Sequence, residues 1–356
     1  MSIIASVVGA RPNFIKLKVV YDELNKLKGL THVVIHTGQH YDYEMSSIFF
    51  KEFDLPEPDY FLNVGSGSHG FQTGEMLKRV EEVLMRESPN LVLVYGDTNT
   101  TLAGALAAVK LRMPVAHVEA GLRSGEMYMS EEINRVIVDH VSEFLFVPTP
   151  SSRKNLERES VKGRIVFTGD VMLDLYLRFK DKLGSRAKEM RGDYMIVTLH
   201  RAENVDNYHR LEAILKALSE SGHDFIFPMH PRTKRRIREF GLERYLGDNI
   251  QVVKPLSYLC FLKLLKNSAK VITDSGGVQK EAYFMGKPCI TLRERTEWYE
   301  TVEDGLNVLV GCDKDKIVDA INKFLPKGKP NLDKFGGGIA GKNIRLAIQQ
   351  ILGNVK

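Results

Sequence analysis

The sequence predicts an α/β protein with two Rossmann-like domains, parallel sheets and an interdomain cleft. Three observations lead to this prediction. Short apolar runs alternate with helix-like stretches along most of the chain, a pattern typical of parallel strands covered by helices on both faces. The apolar runs form two successive series. Finally, a chain of 356 residues exceeds the size that one hydrophobic core usually supports.

Each predicted element follows from its local pattern. The first series of apolar runs predicts strands at 3–8, 32–37, 91–95, 115–118 and 144–147. The second series predicts strands at 164–168, 195–199, 224–228, 250–253, 270–273 and 288–292. Helical spacing of apolar residues predicts helices over 100–110, 208–221 and 257–268. We therefore place an N-terminal domain at 1–168 and a C-terminal domain at 169–340, with a last helix over 341–356 packing back on the first.

Composition narrows the function classes. Hydrophobic residues make up 43% and charged residues 27%, as in ordinary globular proteins. The net charge of +5 comes without a dense Lys/Arg block, which argues against a nucleic-acid partner and suits a small anionic substrate. Cys260, Cys289 and Cys312 have neither metal-type spacing nor a disulfide framework. We also find no signal peptide and no membrane-spanning segment, so we expect a cytoplasmic protein without membrane insertion.

The expected fold indicates where a ligand would bind. In open parallel sheets, ligands bind beyond the carboxyl ends of the strands, so polar residues that follow predicted strands are candidates. They are Arg11 and Lys16 after 3–8, Asp97 after 91–95, Glu119 and Arg123 after 115–118, Glu131, Glu132 and Arg135 in the segment 129–135, His200, Arg201 and Glu203 after 195–199, and His230 and Arg232 after 224–228.

Most candidates have a structural alternative. Asp97 precedes two threonines, so its role could be limited to capping a helix. The role of Glu131 could likewise be limited to stabilising a helix N-terminus. His200 and His230 could be structural histidines. Glu119 is harder to dismiss, because an unpaired acid in an apolar setting is costly to bury. The convergence of all these residues on carboxyl ends favours a binding cleft.

The stretch VITDSGGVQKEAYFMGKPCI, residues 271–290, predicts an anion site. Ser275, Gly276 and Gly277 stand at a helix start, where unpaired N–H groups and the helix dipole attract negative charge. Glycine also permits a phosphate to approach the backbone. Glu281, further along the helix, would repel a phosphate, so a ribose is its candidate partner. The stretch therefore suggests a nucleoside diphosphate; the alternative is a capped helix without a ligand.

Two further glycine patterns match the dinucleotide-binding spacing. They are GSGSHG at 65–70 and GGGIAG at 336–341. The first does not follow the first strand, and the second has no strand before it, so neither has the context that a dinucleotide site requires. We interpret the first as a flexible loop over the cleft and the second as a crossover turn.

Several motifs in combination carry a family resemblance. They are GARPNFIK, TGQHYDYEM, GSGSHGFQTGEM, VYGDTNTT, HVEAGLRSG, SEEINR, TLHRAEN and TDSGGVQKEA. Over nearly the whole chain they resemble the non-hydrolysing UDP-N-acetylglucosamine 2-epimerases. The resemblance implies a GT-B fold and interconversion of UDP-N-acetylglucosamine and UDP-N-acetylmannosamine for surface-polysaccharide synthesis, with no cofactor and no metal. It also implies a route by anti-elimination of UDP to a 2-acetamidoglucal, followed by re-addition, and we expect a homodimer.

The resemblance also implies residue roles. The catalytic set is Asp97, Glu119, Glu131, His200 and Lys16, with His200 contacting phosphate and the order of proton transfer among the carboxylates left open. The substrate-binding set is Arg11 and Lys16 as the basic pair of the first loop, Ser275, Gly276 and Gly277 as the diphosphate cradle, Glu281 as the ribose acceptor, Phe261 beside the uracil, and Arg293.

The chain departs from the family at one position and leaves alternatives open. Trp298 stands where many bacterial members carry an arginine, with Arg293 or Arg295 as possible replacements. Gln39, His40 and Gln72 lie in loops that match the activator site of bacterial members, where a second substrate molecule binds.

Three competing functions are a hydrolysing 2-epimerase, which releases UDP and N-acetylmannosamine, a GT-B glycosyltransferase, and a nucleotide-sugar sensor without turnover.

Overall fold

The computed structural model describes residues 2–39, 50, 52–184 and 194–353. The chain forms two compact units: Met1–Arg178 together with Leu332–Lys356, and Phe179–Asn331. Both boundaries of the predicted division, after 168 and after 340, fall inside the first unit. One reason is that the helix Val171–Phe179 contacts the start of the last helix, where Asp174 accepts hydrogen bonds from the backbone N–H groups of Ala340 and Gly341. The division into domains stays a prediction.

The strands of the first unit form one parallel sheet. They are β1 Ser2–Val8, β2 Leu30–His36, β3 Tyr60–Phe61, β4 Leu91–Tyr95, β5 Val115–Val118, β6 Phe144–Val147 and β7 Arg164–Phe167, in the order β3-β2-β1-β4-β5-β6-β7. The five predicted strands of the first series are confirmed to within two residues. The prediction that 164–168 begins the second series is wrong, because β7 pairs with β6 in this sheet.

The second unit contains the other parallel sheet. Its strands are β8 Met195–Thr198, β9 Phe225–Pro228, β10 Ile250–Val253, β11 Val271–Thr273, β12 Cys289–Thr291 and β13 Asn307–Leu309, in the order β10-β9-β8-β11-β12-β13. The predicted strands from 195 onward are confirmed to within one residue, whereas β3 and β13 were not predicted. The α/β class with two parallel sheets is therefore confirmed.

Helices connect the strands in both units. They are α1 Arg11–Leu24, α2 His69–Glu87, α3 Asn99–Lys110, α4 Ser130–Val141, α5 Pro150–Arg158, α6 Val171–Phe179, α7 Ala202–Val205, α8 Tyr208–Glu220, α9 Pro231–Glu239, α10 Tyr258–Asn267, α11 Gly276–Phe284, α12 Tyr299–Glu303, α13 Lys314–Lys323 and α14 Ala340–Gly353. The predicted helices at 100–110, 208–221 and 257–268 are confirmed to within one residue. In the described parts of the chain, every helix is too short or too polar to cross a membrane.

Strand register places the candidate residues side by side. In the first sheet Tyr95 at the end of β4 pairs with Val118 at the end of β5, so the residues that follow these strands start from neighbouring points. In the second sheet Thr198 at the end of β8 pairs with Thr273 at the end of β11. The chain thus has two groups of strand ends, one in each unit, at which polar side chains collect.

Candidate functional site

In the first unit, Lys16 and Glu119 form a buried ion pair. Lys16 lies one turn into α1, and Glu119 directly follows β5. The Nζ atom of Lys16 is 2.5 Å from Oε1 of Glu119, and both residues are less than a tenth exposed. Glu119 has a φ of 74°, in the left-handed region that a side chain seldom adopts. The carboxylate of Glu119 is therefore held by a cation at a strand end.

The turn between β4 and α3 lies against this pair. Gly96 has a φ of 67°, and a Cβ atom at this position would lie 2.4 Å from Nζ of Lys16 and 3.6 Å from Oε1 of Glu119. A side chain at Gly96 would therefore collide with the ion pair. Asp97 is the next residue, so the turn brings a second carboxylate to the same strand ends.

Side chains from α4 hold Asp97 in place. The guanidinium of Arg135 lies 2.5 Å from Oδ2 of Asp97, and the side-chain amide of Asn134 donates to the backbone oxygen of Asp97 at 2.9 Å. Asp97 does not cap α3, because Thr98 is the N-cap and its hydroxyl accepts from the N–H of Thr101. Asp97 is instead a partly exposed carboxylate, 22% accessible, tied to an arginine.

The two neighbouring glutamates of α4 have different surroundings. Glu132 is buried and accepts hydrogen bonds from the N–H groups of Ser124 and Gly125 and from Arg135. Glu131 is only partly buried, and the hydroxyl of Ser130 donates to it at 3.0 Å. Glu132 therefore holds the loop before α4, whereas Glu131 is the more accessible carboxylate of the two.

Two glutamines join loops near the start of α3. Oε1 of Gln39 accepts from the N–H and hydroxyl of Thr100 at 3.1 and 2.7 Å. The amide of Gln72 donates to the backbone oxygens of Gln39 and Gly65, and its Oε1 accepts from Asn99. His40 lies outside the described residues. GSGSHG leads into α2, whose N-cap is Ser68.

In the second unit, Asp274 joins two strand-end loops. Its side chain is fully buried, and its carboxylate accepts from the backbone N–H groups of His200 and Arg201 and from the amide of Asn204. Nδ1 of His200 lies 3.5 Å from Oδ1 of Asp274, while the His200 side chain is 39% exposed. The loop after β8 thus presents the imidazole of His200 beside the start of α11.

The other histidine candidate has a visible structural role. His230 is the N-cap of α9, and its Nδ1 atom accepts from the N–H of Arg232. Arg232 itself pairs with Asp206. The ring of His230 nevertheless lies 5.9 Å, centroid to centroid, from the ring of His200. These contacts favour the structural interpretation of His230.

The predicted cradle lies at the start of α11. Ser275 is the N-cap, and its side chain makes no capping hydrogen bond. A Cβ atom at Gly276 would lie 2.6 Å from Oε1 of Glu297 and 3.0 Å from Nε1 of Trp298. Gly277 is half-buried beside it. The first turn of α11 therefore has little room for side chains, as a backbone anion site requires.

Two further binding candidates are more deeply buried than an open subsite would be. Glu281, on α11, is 4% exposed. Phe261, on α10, is 7% exposed and packs in the apolar cluster that contains Ile226 and Leu265. Phe261 thus contributes to the core of the second unit.

Trp298 and the two possible replacement arginines differ in accessibility. Arg293 is fully buried, with its guanidinium 2.7 Å from Glu297 and 3.4 Å from Glu203, whereas Arg295 is exposed. Trp298 is 2% exposed, and Nζ of the buried Lys280 lies 4.0 Å from the centre of its ring. Lys280, which was not among the predicted site residues, therefore makes a cation–π contact with Trp298.

Two further residues of these sites, Arg135 and Asp274, were assigned no role from the sequence, although Arg135 was among the candidates. Both belong to quoted motifs, SEEINR and TDSGGVQKEA. A usable signal was their position: Asp274 directly follows β11, and Arg135 lies one turn after Glu131. No group of three or more His, Cys, Asp or Glu in the described ranges is arranged to hold a metal ion.

The comparisons with known proteins all indicate the same family. A family model described as UDP-N-acetylglucosamine 2-epimerase matches residues 22–349. A UDP-N-acetylglucosamine 2-epimerase homolog of Methanococcus maripaludis is 49% identical, with 99% of each chain covered. A UDP-2,3-diacetamido-2,3-dideoxy-D-glucuronate 2-epimerase of Pseudomonas aeruginosa is 46% identical, with 96% of this chain and 98% of the relative covered.

Solved structures agree with this result. The UDP-GlcNAc 2-epimerase of Methanocaldococcus jannaschii, in complex with UDP-GlcNAc and UDP, has a TM-score of 0.92 and 44% identity, with 98% of this chain and 99% of that chain covered. The calicheamicin glycosyltransferase CalG4 has a TM-score of 0.57 at 14% identity, with 100% of this chain and 99% of that chain covered. The second likeness shows a shared fold alone, and the predicted GT-B fold class is confirmed.

Proposed function

The chain belongs to the UDP-N-acetylglucosamine 2-epimerase family, and we propose that it interconverts UDP-N-acetylglucosamine and UDP-N-acetylmannosamine without net hydrolysis. The observation that carries the proposal is the pairing of Lys16 with Glu119 beside the turn that bears Asp97. Carboxylates held at strand ends by cations are suited to moving protons on a bound sugar.

The chemistry requires a leaving group before a proton can be lost. The hydrogen on carbon 2 is not next to a carbonyl group, so its direct removal gives no stabilised carbanion. When the bond between carbon 1 and the phosphate oxygen breaks, its electron pair leaves with UDP. A base then takes the carbon-2 hydrogen, and the electrons of that bond form the double bond of 2-acetamidoglucal. Re-addition of UDP to carbon 1 and protonation of carbon 2 on the other face complete the epimerisation.

We assign the proton transfers to the first unit. Asp97, Glu119 and Glu131 supply the acid and base groups, and their surroundings differ in charge and exposure. Glu119 is buried against Lys16, Asp97 is tied to Arg135, and Glu131 is partly buried near Ser130. Arg11 and Lys16 supply positive charge for the departing UDP.

We assign UDP binding to the second unit. The N–H groups at Ser275, Gly276 and Gly277 hold the diphosphate, where the helix dipole of α11 adds a favourable field. His200, which is partly exposed next to Asp274, contacts phosphate. Glu281 accepts from ribose hydroxyls. Phe261 lies beside the uracil, and Arg293 supports the site through its pairs with Glu203 and Glu297.

A second candidate substrate comes from the Pseudomonas aeruginosa relative. That protein is named for UDP-2,3-diacetamido-2,3-dideoxy-D-glucuronate and is 46% identical to this chain. The same elimination chemistry would epimerise this sugar, because the reacting carbons are the same. Parallel assays with the two UDP-sugars separate the candidates by kcat/KM.

The deciding experiment is turnover of UDP-N-acetylglucosamine followed by NMR of the products. We expect UDP-N-acetylmannosamine to accumulate to an equilibrium ratio from either direction. Equal amounts of free UDP and N-acetylmannosamine would instead indicate the hydrolysing 2-epimerase. Turnover that needs an added acceptor would indicate a glycosyltransferase, and binding without turnover a sensor.

We further propose that the protein acts as a cytoplasmic homodimer that supplies surface-polysaccharide synthesis. The proposal rests on the family, whose reaction yields an activated sugar. Light scattering coupled to size-exclusion chromatography tests the dimer. A mass of about one 40.3 kDa chain would contradict it.

A further inference from the structure

His117 is a fully buried histidine that bonds through both ring nitrogens. It lies in β5, where its neighbour across the sheet is Val94 of β4. Its Nδ1 atom is 2.7 Å from Oδ1 of Asp139 on α4, and its Nε2 atom is 2.7 Å from the backbone oxygen of Gly96. Gly96 immediately precedes Asp97 in the tight turn between β4 and α3. The imidazole therefore bridges α4 and the turn that carries a proposed acid.

Both neighbours of the ring are hydrogen-bond acceptors. The oxygen of Gly96 is a carbonyl and can only accept, so Nε2 must carry a hydrogen. Oδ2 of Asp139 already accepts from the N–H of Gly121 at 3.0 Å and from Arg123 at 2.7 Å, as an ionised carboxylate does. The carboxylate that faces Nδ1 is therefore itself fixed by two other donors, so Asp139 anchors the ring to α4.

The charges around Asp139 support its ionised state. Burial alone would raise the pKa of Asp139, but attraction to His117 and Arg123, together with their hydrogen bonds, lowers it below its usual value. Arg123 also forms a two-pronged pair with Glu159, at 2.7 Å on both sides.

We infer that His117 is a positioning residue that donates from Nε2 to the carbonyl oxygen of Gly96 and so fixes the turn that bears Asp97. Helix α4 then holds this turn at three points. Asn134 bonds the backbone of Asp97, Arg135 bonds its carboxylate, and Asp139 acts on Gly96 through His117. The direction of the Asp97 carboxylate would depend on all three.

The donor role of Nε2 is tested by NMR on the full chain labelled with nitrogen-15 in histidine. We expect the ring of His117 to carry a hydrogen on Nε2, and its signals to disappear in the His117→Gln variant. A His117 ring without a hydrogen on Nε2 would overturn the inference, and this readout does not depend on the proposed reaction.

The positioning role is tested with two matched amides and rests on the proposed epimerase activity. The side-chain amide of His117→Gln reaches the place of Nε2 and can donate to Gly96. That of His117→Asn reaches only the place of Nδ1. We expect the Asn variant to lose about tenfold in kcat relative to the Gln variant, with KM nearly unchanged, for one lost hydrogen bond. Equal kcat values in two folded variants would contradict the positioning role.

The two tests also separate failure of the inference from failure of the proposed function. If the wild-type protein turns over no UDP-sugar, the proposed function fails while the NMR spectrum still decides the state of His117. If the Asn variant does not fold, the spectrum of the wild type decides in the same way.

Discussion

Nζ of Lys16 lies 2.5 Å from Oε1 of Glu119, and this pair joins the first helix of the chain to the end of the fifth strand. Both groups are buried, so each charge needs a partner of opposite sign, and the ion pair supplies one to each. The family resemblance placed both residues in the catalytic set, and Lys16 also in the basic pair of the first loop. Because the two groups are in contact, a change in the charge of one changes the electrostatic environment of the other.

Breaking this pair from one side should destabilise the protein. Lys16→Met leaves the carboxylate of Glu119 buried without its cation, so we expect the free energy of unfolding to fall by about 3–5 kcal/mol. The double variant Lys16→Met/Glu119→Gln removes both charges and should recover part of this loss. Urea unfolding measures each variant. Lys323→Met, which breaks an exposed pair with Asp319, is the matched control and should change nothing measurable. A double variant no more stable than Lys16→Met would contradict this account.

Gly276→Ala should weaken UDP binding. The added Cβ would lie 2.6 Å from Oε1 of Glu297 and 3.0 Å from Nε1 of Trp298, so either these side chains or the first turn of α11, which is proposed to hold the diphosphate, must shift. We expect a loss of about 1–3 kcal/mol, as for an unmade hydrogen bond to a charged group. Calorimetry with UDP measures it. Gly247→Ala in the same unit is the control, since its Cβ would meet Asn249 at an ordinary 3.4 Å. Unchanged UDP affinity in a folded Gly276→Ala protein would rule out the cradle assignment.

Acid should destabilise the protein through His32. Its Nε2 atom lies 2.7 Å from the hydroxyl of Ser6, and its Nδ1 atom has no hydrogen-bond partner among the described residues. Burial lowers the pKa of His32 to about 4, below the unfolded value of about 6.5. A histidine with a lowered pKa adds stability above the unfolded value, and this stability is lost as the pH falls toward the folded value.

We therefore expect the unfolding free energy to drop by about 1–2 kcal/mol between pH 7 and pH 5. The ring of His32→Phe does not titrate, so this variant should lose less over the same interval in urea titrations. The same loss in both proteins would show that His32 is not the titrating group.

Asp97→Asn should slow turnover with little effect on folding. The amide keeps the shape of the side chain but cannot exchange a proton in the same way, and general acid–base catalysis typically contributes a factor of about 100 to 10,000. We expect kcat to fall within this range, with leakage of free UDP and glucal if re-addition slows more than elimination. Glu82→Gln, on an exposed face of α2, is the control. Wild-type kcat in Asp97→Asn would remove Asp97 from the proton-transfer set.

Much of the fold could be predicted because parallel strands leave a strong local pattern. Runs such as LVLVY at 91–95 are buried on both faces and therefore apolar throughout. Tyr60–Phe61 and Asn307–Leu309 are too short for such a pattern, so β3 and β13 were missed. Sequence spacing also could not show which sheet 164–168 joins, because that depends on hydrogen bonding to β6.

The site was partly predictable for the same reason. The rule that strand ends carry ligands identifies Asp97 and Glu119 from the sequence. Lys16 and Arg135 were also among the candidates, but their pairing with Glu119 and Asp97 was not predicted, because the partners come from different elements. His117 was missed because it sits inside the apolar strand VAHV, where sequence alone indicates core. Pairing across elements is a property of the folded chain.

The fate of the carbon-2 hydrogen tests the proposed reaction most directly. Turnover of UDP-N-acetylglucosamine in deuterated water should place one deuterium at carbon 2 of the product, because the acid that returns the proton exchanges with solvent. Substrate with oxygen-18 in the bridge between carbon 1 and the β-phosphate should also scramble that label into the non-bridging positions of the β-phosphate, since UDP leaves and can rotate before it adds back. A product that keeps its original carbon-2 hydrogen, with the oxygen-18 still in the bridge, would contradict elimination and re-addition.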